Sequence, residues 1–412
     1  MPAHTYQFIP PCSAPAVVAR VCLFVPLPPF FFPILTVLPM PTKTPFAYSS
    51  TAAALLATAG LLLGCEASHP TPATPAAAPQ PTDATTATCG AQGWASQNGG
   101  TTGGGTAAAT VVTTYAQLKA AIENTAVKVV QVNGTITIPS SGRISFQDQT
   151  GKTIFGSAGA RLVSADQTKD NSGIMYIKRC KNVLLRNLVF EGPGAYDTDG
   201  WDNVTVDAST NVWVDHCEFR DGVDGNFDIK NASDYITVSW TKFAYLKPPK
   251  AGGPGGSDDH RFSDLIGSSD GATGDRGKLR ITFARCWWSQ GCVARMPRVR
   301  FGKVHLVNNL YNSSVSKSCV QAGFEADLRV QANVFENVTN PLDLMANNST
   351  AVQEIGNLFT NVSGAKAGNG KSAFTPPYTV AVLAASAVKA AVTASNGAGA
   401  TVGGNVCTNS GI

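Results

Sequence analysis

An eleven-residue basic stretch, RMPRVRFGKVH (295–305), contains three arginines, a lysine and a histidine but no acidic residue. Cations at this density indicate an anionic partner. Guanidinium groups in particular bind carboxylates or phosphates through paired hydrogen bonds. The stretch therefore poses two questions: which anion it meets, and whether any arginine does more than attract it.

Strand parity divides the three arginines. Arg298 and Arg300 would share one face of a strand, whereas Arg295 and Arg300 would not. If Arg295 and Arg300 both face one site, the chain must turn between them, and Pro297 is where we expect that turn. Arg298 is then expected to be paired within the protein, and His305 to pack beside the following strand.

Three aspartates supply the second candidate chemistry. Asp202 lies in DGWDNVTV, and Asp224 and Asp228 lie in VDGNFDIK. Oxygen ligands without nearby His or Cys favour a hard cation, most plausibly Ca²⁺. The alternative is that these are turn residues, because aspartate is common in glycine-rich turns. A further basic cluster, YLKPPK, contains Lys247 and Lys250.

A repeated octet indicates which elements must position these residues. It begins with an apolar residue and ends with an aromatic one, and its starts are separated by 29, 24, 45, 23, 24 and 24 residues. The copies are VLLRNLVF (183–190), VWVDHCEF (212–219), ITVSWTKF (236–243), ITFARCWW (281–288), VHLVNNLY (304–311), LRVQANVF (328–335) and VQEIGNLF (352–359). A period of 23–24 residues with strand alternation predicts a parallel β-helix, and the gap of 45 predicts an insertion, mainly residues 248–264.

The position of each candidate residue within its coil predicts a groove. Asp202 lies ten residues before the octet at 212, and Asp224 and Asp228 lie twelve and eight before the octet at 236. Arg295 and Arg300 lie nine and four before the octet at 304. An acidic, cation-binding patch would thus face a basic patch, and a polyanion bearing carboxylates would bridge both. The alternative is that the arginines pair with acids on neighbouring coils.

Other positions predict how the solenoid is built. The sixth octet position holds Asn309, Asn333 and Asn357, which would stack as an amide ladder. Cys217 and Cys286 occupy the same position and are expected to be buried apolar residues. Residues 114–123 predict an N-terminal capping helix with Thr114 as its cap, and residues 380–395 predict a helix at the other end.

Composition limits the class of protein. The 412-residue chain carries a formal charge of +4, with 14% charged residues, which gives no reason to expect nucleic-acid binding. Frequent glycine, with recurring Asn, Thr and Val, is typical of a β-rich extracytoplasmic protein. We expect it to act as a monomer. Seven cysteines follow residue 88, and a pairing of Cys89 with Cys407 would join the two ends.

The amino-terminal segments resemble an export signal. The apolar stretch 21–39 contains five prolines and is not expected to form a membrane helix. We expect translation to start at Met40, with 1–39 an extension of the gene model, 40–64 a signal peptide, and 65–88 a Pro/Thr/Ala linker. The tetrapeptide ending at Cys65 resembles a bacterial lipobox, which predicts a secreted protein or an outward-facing outer-membrane lipoprotein. The alternative is an ordinary secretory signal.

Several motifs of residues 92–412 match those of one family in order. They are GWASQNGGTTGGG (93–105), VVQVNGTI (129–136), KTIFG (152–156), NVWVDHCEF (211–219), LIGSSD (265–270) and RMPRVRFGKVHLVNNLY (295–311). The sequence resembles the bacterial pectate lyases of polysaccharide lyase family 1. The resemblance implies a right-handed parallel β-helix for 89–412 and β-elimination of de-esterified homogalacturonan.

The resemblance also implies roles for individual residues. Asp202, Asp224 and Asp228 match calcium ligands, although the second is often Glu in the family. Arg295 matches the proposed base, and Arg300 matches an arginine that binds a substrate carboxylate. Lys230 matches a substrate-binding lysine. A second family lysine is best matched by Lys247, while Lys250 and Arg261 remain alternatives because the insertion intervenes.

The implied reaction removes the C5 proton of galacturonate and breaks the C4–O4 bond, leaving a 4,5-unsaturated end. Arginine has a pKa above about 12, so an arginine base predicts an alkaline pH optimum. Three alternatives remain: a pectin lyase acting on methylated polymer without calcium, a hydrolase with an acid/base carboxylate pair, and a non-catalytic polysaccharide-binding β-helix at the cell surface.

Overall fold

The structure is a computed structural model that describes residues 90–168, 172–346 and 349–403. Several predictions fall on residues outside these ranges: the extension 1–39, the signal peptide 40–64, the whole linker 65–88, the lipid anchor at Cys65, and the Cys89–Cys407 pairing. They stay predictions.

The described residues form short strands and two α-helices. The strands are β1 (Ala109–Val112), β2 (Val129–Val132), β3 (Thr135–Ile138), β4 (Ile144–Gln147), β5 (Thr150–Gly156), β6 (Arg161–Ser164), β7 (Met175–Lys178), β8 (Lys181–Arg186), β9 (Val189–Glu191), β10 (Val204–Asp207), β11 (Thr210–Asp215), β12 (Glu218–Arg220), β13 (Phe227–Lys230), β14 (Asp234–Ser239), β15 (Lys242–Ala244), β16 (Leu265–Ile266), β17 (Arg280–Ala284), β18 (Trp287–Trp288), β19 (Arg298–Val299), β20 (Lys303–Val307), β21 (Leu310–Tyr311), β22 (Val320–Ala322), β23 (Asp327–Gln331), β24 (Val334–Glu336), β25 (Leu342–Asp343), β26 (Ala351–Ile355) and β27 (Leu358–Thr360). The α-helices are α1 (Tyr115–Glu123) and α2 (Ala385–Val392), and 3-10 turns span Gly93–Ser96 and Thr273–Asp275.

The strands form three parallel sheets. The ten-stranded sheet has the order β1-β2-β5-β8-β11-β14-β17-β20-β23-β26, the nine-stranded sheet β27-β24-β21-β18-β15-β12-β9-β6-β3, and the eight-stranded sheet β25-β22-β19-β16-β13-β10-β7-β4. Each complete coil adds one strand to each sheet, so every coil buries its inner face only against its neighbours. The fold is the predicted all-β, right-handed parallel β-helix.

The octet sets the register of the ten-stranded sheet. Its seven first residues are direct partners across neighbouring strands: Val183, Val212, Ile236, Ile281, Val304, Leu328 and Val352. The aromatic last residues stack inside the solenoid, with Phe190 and Phe219 ring centroids 4.8 Å apart and Tyr311 and Phe335 4.4 Å apart. Stacking in the core adds to the stability gained by burying the rings.

The asparagine ladder is confirmed. Asn309 Nδ2 donates to Asn333 Oδ1 at 2.9 Å, and Asn333 Nδ2 donates to Asn357 Oδ1 at 2.9 Å. The ladder also receives the backbone N–H of Cys286, which donates to Asn309 Oδ1 at 2.7 Å. Cys217 and Cys286 are fully buried free thiols, as expected.

Helix α1 closes the amino-terminal end of the coils. Thr114 is its N-cap and accepts from the backbone N–H of Gln117, while Leu118 and Ile122 are buried in the core beside Val130. Gln117 Oε1 accepts from the backbone N–H of Thr113 rather than Thr114, so the expected capping box is displaced by one residue.

The second predicted helix is confirmed as α2, which is shorter than 380–395 and lies on the side of the solenoid rather than across its end. Helix α2 packs on β21 and β24, where Val388 and Val392 cover Leu310 and Val334. Leu310 and Val334 alternate with the inward-facing aromatic residues and therefore lie on the outer face of the nine-stranded sheet. This apolar outer pair explains the position of α2. In the described ranges, no helix combines the length and apolarity needed to cross a membrane.

Candidate active site

The outer face of the eight-stranded sheet carries the candidate site. Strand β13 reads Phe227-Asp228-Ile229-Lys230, and alternation sends Phe227 and Ile229 into the core while Asp228 and Lys230 point outward. Asp228 lies beside Thr205 of β10 across the ladder. The same alternation that builds the core therefore places a carboxylate and an ammonium group next to each other on the outside.

The predicted aspartates converge on the turn before β13. A Cβ atom added to Gly225 would lie 2.8 Å from Asp202 Oδ1 and 2.8 Å from Asp228 Oδ1. Any side chain at residue 225 would collide with these oxygens, so glycine is needed for the two carboxylates to approach. Asp224 immediately precedes this glycine, and it interacts electrostatically with both Asp202 and Asp228.

Burial and like-charge repulsion perturb these carboxylates. Burial, and after it repulsion from Asp224, raise the pKa of Asp202 to about 6 against the opposing charge of Lys230. Burial also raises the pKa of Asp228 well above its usual range, with added repulsion from Asp202 and Asp224. Their hydrogen-bond donors are neutral: Thr205 Oγ1 donates to Asp202 at 2.7 Å, and Leu265 N donates to Asp228 at 2.9 Å. Ionised carboxylates here lack a full internal counter-charge.

All three aspartates and Lys230 line one pocket. The other lining residues are Arg143, Asp199, Gly200, Trp201, Thr205, Leu265, Gly267 and Ser268. The pocket thus combines an acidic wall with the basic side chain of Lys230.

These donors fit a calcium ion by their chemistry. They are buried oxygens under mutual repulsion, which a hard divalent cation relieves. In the described part of the chain, no three His, Cys, Asp or Glu side chains already form a group that could hold a metal. Asp224 is engaged elsewhere, because its Oδ1 lies 2.8 Å from His260 Nε2.

The insertion is anchored beside the pocket through Asp197. The backbone N–H of Ser257 donates to Asp197 Oδ2 at 2.7 Å, and His260 Nδ1 lies 3.1 Å from Asp197 Oδ1. His260 therefore links Asp197 to Asp224. The insertion is held at the acidic wall through backbone and imidazole contacts.

Arg295 lies two strands beyond β13, about 10 Å along the sheet. It immediately precedes the Met296–Pro297 peptide, which is cis, and strand β19. Its guanidinium carbon lies 4.8 Å from the Phe262 ring centroid, and its charge lowers the pKa of Asp228. Among the described residues, its guanidinium has no carboxylate partner. Arg295 is thus close to the acidic wall and available to a ligand.

Arg300 also borders this face but is engaged with a loop. Its Nε donates to Asp270 Oδ1 at 2.7 Å and its Nη1 to the Gly267 carbonyl at 3.0 Å. Asp270 is 62% exposed, so this ion pair is solvent-screened and contributes little to stability.

Arg298 differs from its expected role. We expected it to be paired within the protein, but its Nε is buried without a hydrogen-bond partner. Burial lowers the pKa of Arg298, and Arg300 and Arg295 lower it further. The stretch therefore concentrates three cations on the outer face.

The structure does not bring Lys247 to the pocket. Lys247 follows β15 on the nine-stranded sheet, and its Nζ lies 2.7 Å from the Gly192 carbonyl and 3.0 Å from Glu191 Oε1. Neither alternative lines the pocket: Lys250 Nζ lies over the Tyr196 ring at 4.2 Å, and Arg261 pairs with Asp259 at 2.7 Å. A substrate role for Lys247 stays a prediction, because sequence order could not show which sheet it joins.

Comparison with known proteins identifies the family. The sequence model of the pectate lyase family matches residues 52–401. The chain belongs to this family. Pectate lyase plyB of Emericella nidulans is 33% identical over 253 residues, which are 60% of this chain and 68% of that protein. Pectate lyase E of Dickeya chrysanthemi is 36% identical over 280 residues, 60% and 67% of the two chains.

A third relative aligns over more of the chain. The pectate trisaccharide-lyase of Bacillus licheniformis is 32% identical over 325 residues, 75% of this chain and 86% of that protein. Solved pectate lyases share the fold. One from Bacillus sp. N165 in complex with trigalacturonate has a TM-score of 0.60 and 24% identity, covering 76% and 100% of the two chains. One bound to hexasaccharide has a TM-score of 0.57 and 24% identity, covering 76% and 97%.

Three residues at the acidic wall of this lyase were not predicted. Arg143 precedes β4, Trp201 precedes Asp202, and His260 belongs to the insertion. The octet period carries no signal for them because they lie in turns between strands. Trp201 has one sequence feature that points to it: it is an aromatic residue directly beside Asp202, a predicted ligand.

Proposed function

We propose that this pectate lyase is calcium-dependent and cleaves de-esterified homogalacturonan by β-elimination to 4,5-unsaturated oligogalacturonides. The observation that carries this proposal is the pocket of three aspartates, whose carboxylates repel one another; two of them, Asp202 and Asp228, are buried without a full internal counter-charge. An anionic polymer would be repelled by this wall unless a cation intervened, and the arginine stretch lies beside it.

Asp202, Asp224 and Asp228 would hold calcium. When bound, calcium would supply positive charge that stabilises the negative charge developing on the substrate carboxylate. For Asp224 to take part, its contact with His260 must weaken or be shared. Binding of the metal therefore depends on the insertion as well as on the strand residues.

The chain's own cations would orient the polymer. Lys230 lies beside the aspartates, and Arg300 can exchange its exposed partner Asp270 for a substrate carboxylate. Neutralising the carboxylate acidifies the C5 proton of that sugar unit. Lys230 and Arg300 would thus bind substrate and also lower the barrier to proton removal.

Arg295 would remove the C5 proton. The electron pair of the C5–H bond forms the C4–C5 double bond, the C4–O4 bond breaks, and the leaving oxygen takes up a proton. No water is added to the sugar. Support for Arg295 comes from its place beside the acidic wall and from the absence, among the described residues, of a carboxylate paired with its guanidinium.

The test is the ultraviolet absorbance of unsaturated product formed from polygalacturonate, with calcium, with EDTA, and with EDTA followed by excess calcium. We expect product only when calcium is present, and slower turnover of methylated pectin. Product that persists in EDTA would instead favour a pectin lyase. Reducing ends released without absorbance would favour hydrolysis.

Arg295→Lys tests the base. We expect turnover to be lost while oligogalacturonate binding, measured by calorimetry, is kept. Arg179→Gln is the matched control, because Arg179 is exposed and already paired with Asp148 at 2.6 Å. Retained turnover in Arg295→Lys, or a neutral pH optimum together with full calcium dependence, would exclude Arg295 as the base.

We also propose that the protein is exported, as a secreted protein or an outward-facing outer-membrane lipoprotein anchored at Cys65. The support is the order of an apolar run, a Leu-Leu-Gly-Cys sequence and a Pro/Thr/Ala linker. Mass spectrometry of the native protein tests this: a lipidated amino terminus at Cys65 is expected, and peptides from 1–39 would contradict it.

A further inference from the structure

Arg143 lies at the edge of the same pocket without a polar partner. Its guanidinium carbon is 3.7 Å from the Trp201 ring centroid and 4.6 Å from the Tyr176 ring centroid. Within the described ranges, it has no ion pair and donates no hydrogen bond. The planar group is therefore held by two aromatic rings while its N–H donors stay unused.

A glycine makes this stack possible. A Cβ atom added to Gly173 would lie 2.9 Å from Trp201 Cβ and 3.0 Å from Arg143 Cδ. Gly173 also has a φ of 84°, which favours glycine over other residues. The backbone thus allows Arg143 and Trp201 to approach each other, and their rotamers are restricted by the contact.

Arg143 is not the main counter-charge of the aspartates. Of the cations that lower the pKa of Asp202, Lys230 has the larger effect and Arg143 the smaller. Burial also lowers the pKa of Arg143, so its charge is held at a cost. A partly buried, stacked guanidinium with free donors is the arrangement that binds a carboxylate as a fork.

We propose that Arg143, stacked on Trp201, forms an outer subsite that binds the carboxylate of a uronate unit remote from the reacting bond. Arg143 precedes β4, three strands from β13, so its backbone lies about 14 Å from that of Asp228 along the sheet, and its side chain lines the end of the pocket nearest β4. One pyranose unit of the polymer is about as long as the spacing of about 4.8 Å between strands of neighbouring coils. A polymer that contacts Arg295 and Arg300 therefore reaches Arg143 only when several further units follow.

The inference rests on the proposed function, since both require a polyuronate in this groove. The test is Arg143→Gln, with binding of trigalacturonate and hexagalacturonate measured by calorimetry and KM and kcat measured on both. We expect about 10-fold weaker hexamer binding and a matching rise in KM, with trimer binding and kcat within about twofold of the unsubstituted protein. Arg179→Gln removes the same charge nearby and should leave both ligands unaffected.

Two further readouts separate a subsite from a structural role. Calcium affinity, measured by calorimetry without sugar, should stay within about twofold in Arg143→Gln, because Arg143 contributes little to the field at Asp202. Arg143→Lys keeps the charge but loses the planar fork, so hexamer binding should remain weakened. Thermal unfolding of each variant shows whether it is folded.

Three results would overturn the subsite: equal losses for trimer and hexamer, no loss for either, or full recovery in Arg143→Lys. If the unsubstituted protein neither binds nor cleaves either oligomer, the proposed function fails and the subsite fails with it. If the unsubstituted protein is active but Arg143→Gln shows no dependence on chain length, the subsite alone fails.

Discussion

Two buried aspartates in this lyase differ in how their charges are compensated. Asp215, at the end of β11 in the ten-stranded sheet, is fully buried and forms an ion pair with Arg186, a contact with His216 Nδ1 at 2.9 Å, and a hydrogen bond from Ser239 Oγ at 2.6 Å. Asp228, on the eight-stranded sheet, is 8% exposed and receives one backbone hydrogen bond, from Leu265. The two carboxylates differ in compensation far more than in burial.

The difference separates a structural charge from a binding charge. A buried carboxylate that is ion-paired and hydrogen-bonded has an internal counter-charge, whereas a buried carboxylate facing other carboxylates lacks one and favours binding of a cation. The Asp215 network leaves nothing for a substrate or metal to add. The Asp202–Asp228 pair lacks positive counter-charge, which a bound cation would supply. Each prediction below tests whether this contrast holds.

The largest effect is expected from Asp228→Asn. Losing this carboxylate should lower kcat/KM on polygalacturonate by about 10³-fold, since the calcium that would stabilise the transition-state charge loses a ligand. In EDTA, the same variant should unfold no earlier than the unsubstituted protein, because a repulsive charge has been removed. Activity assays and thermal unfolding in EDTA measure the two effects. An unfolding temperature that falls as far as in Asp215→Asn would break the contrast.

Asp215→Asn should act on stability instead. It leaves Arg186 as a buried charge without its carboxylate, which costs about 3–5 kcal/mol. Urea unfolding of the calcium-loaded protein measures the loss. The matched control is the double change Arg186→Met with Asp215→Leu, which removes both charges and should recover much of the stability. If the double variant is as unstable as the single one, packing rather than charge compensation explains the effect.

A third kind of buried ionisable group is kept neutral, and His305 is the example. Burial is the main cause that lowers the pKa of His305 from 6.5 to about 4; the hydrogen bond that His305 makes to Gln331 Oε1 opposes the shift, and the charge of Arg329 adds to it. Because the unfolded chain binds the proton more readily, this group lowers stability as pH falls from 6.5 to about 4. The expected loss is about 3 kcal/mol.

Unfolding by urea at several pH values between 4 and 7 measures that slope. His305→Gln is the control, since it is neutral at every pH and should flatten the dependence in this window. The other ionisable group in contact with His305 is the Tyr378 hydroxyl, 3.3 Å from Nδ1, and it does not titrate there. An unchanged slope in His305→Gln would assign the acid sensitivity to other groups.

The smallest effect is expected within the asparagine ladder, where polar groups are compensated without charge. Asn333→Ala leaves Asn309 Nδ2 and the Leu306 carbonyl without their partner, which costs about 1–3 kcal/mol. Asn357→Ala, at the less buried end, should cost less. Thermal unfolding compares them, and equal losses would show that the ladder is not graded by burial.

The sequence alone determined the solenoid and much of its acidic wall. The octet is a local period, and in a parallel ladder each position must lie beside its equivalent one coil away. That constraint placed Val183 beside Val212, stacked Phe190 on Phe219, and aligned Asn309 with Asn333. The same phase put Asp202 near Asp228, because Asp202 lies just before β10 and Asp228 lies at the start of β13, the next strand of the same sheet.

Only the tertiary structure decided the contacts made by turns and insertions. Arg143 meets Trp201 from 58 residues away, and no period relates the two. His260 contacts Asp224 from within the insertion, and Lys247 contacts Glu191 of the nine-stranded sheet, away from the pocket. Helix α2 lies on the outer face because Leu310 and Val334 are apolar there. Such contacts depend on where irregular segments fold back in space, which the repeat does not encode.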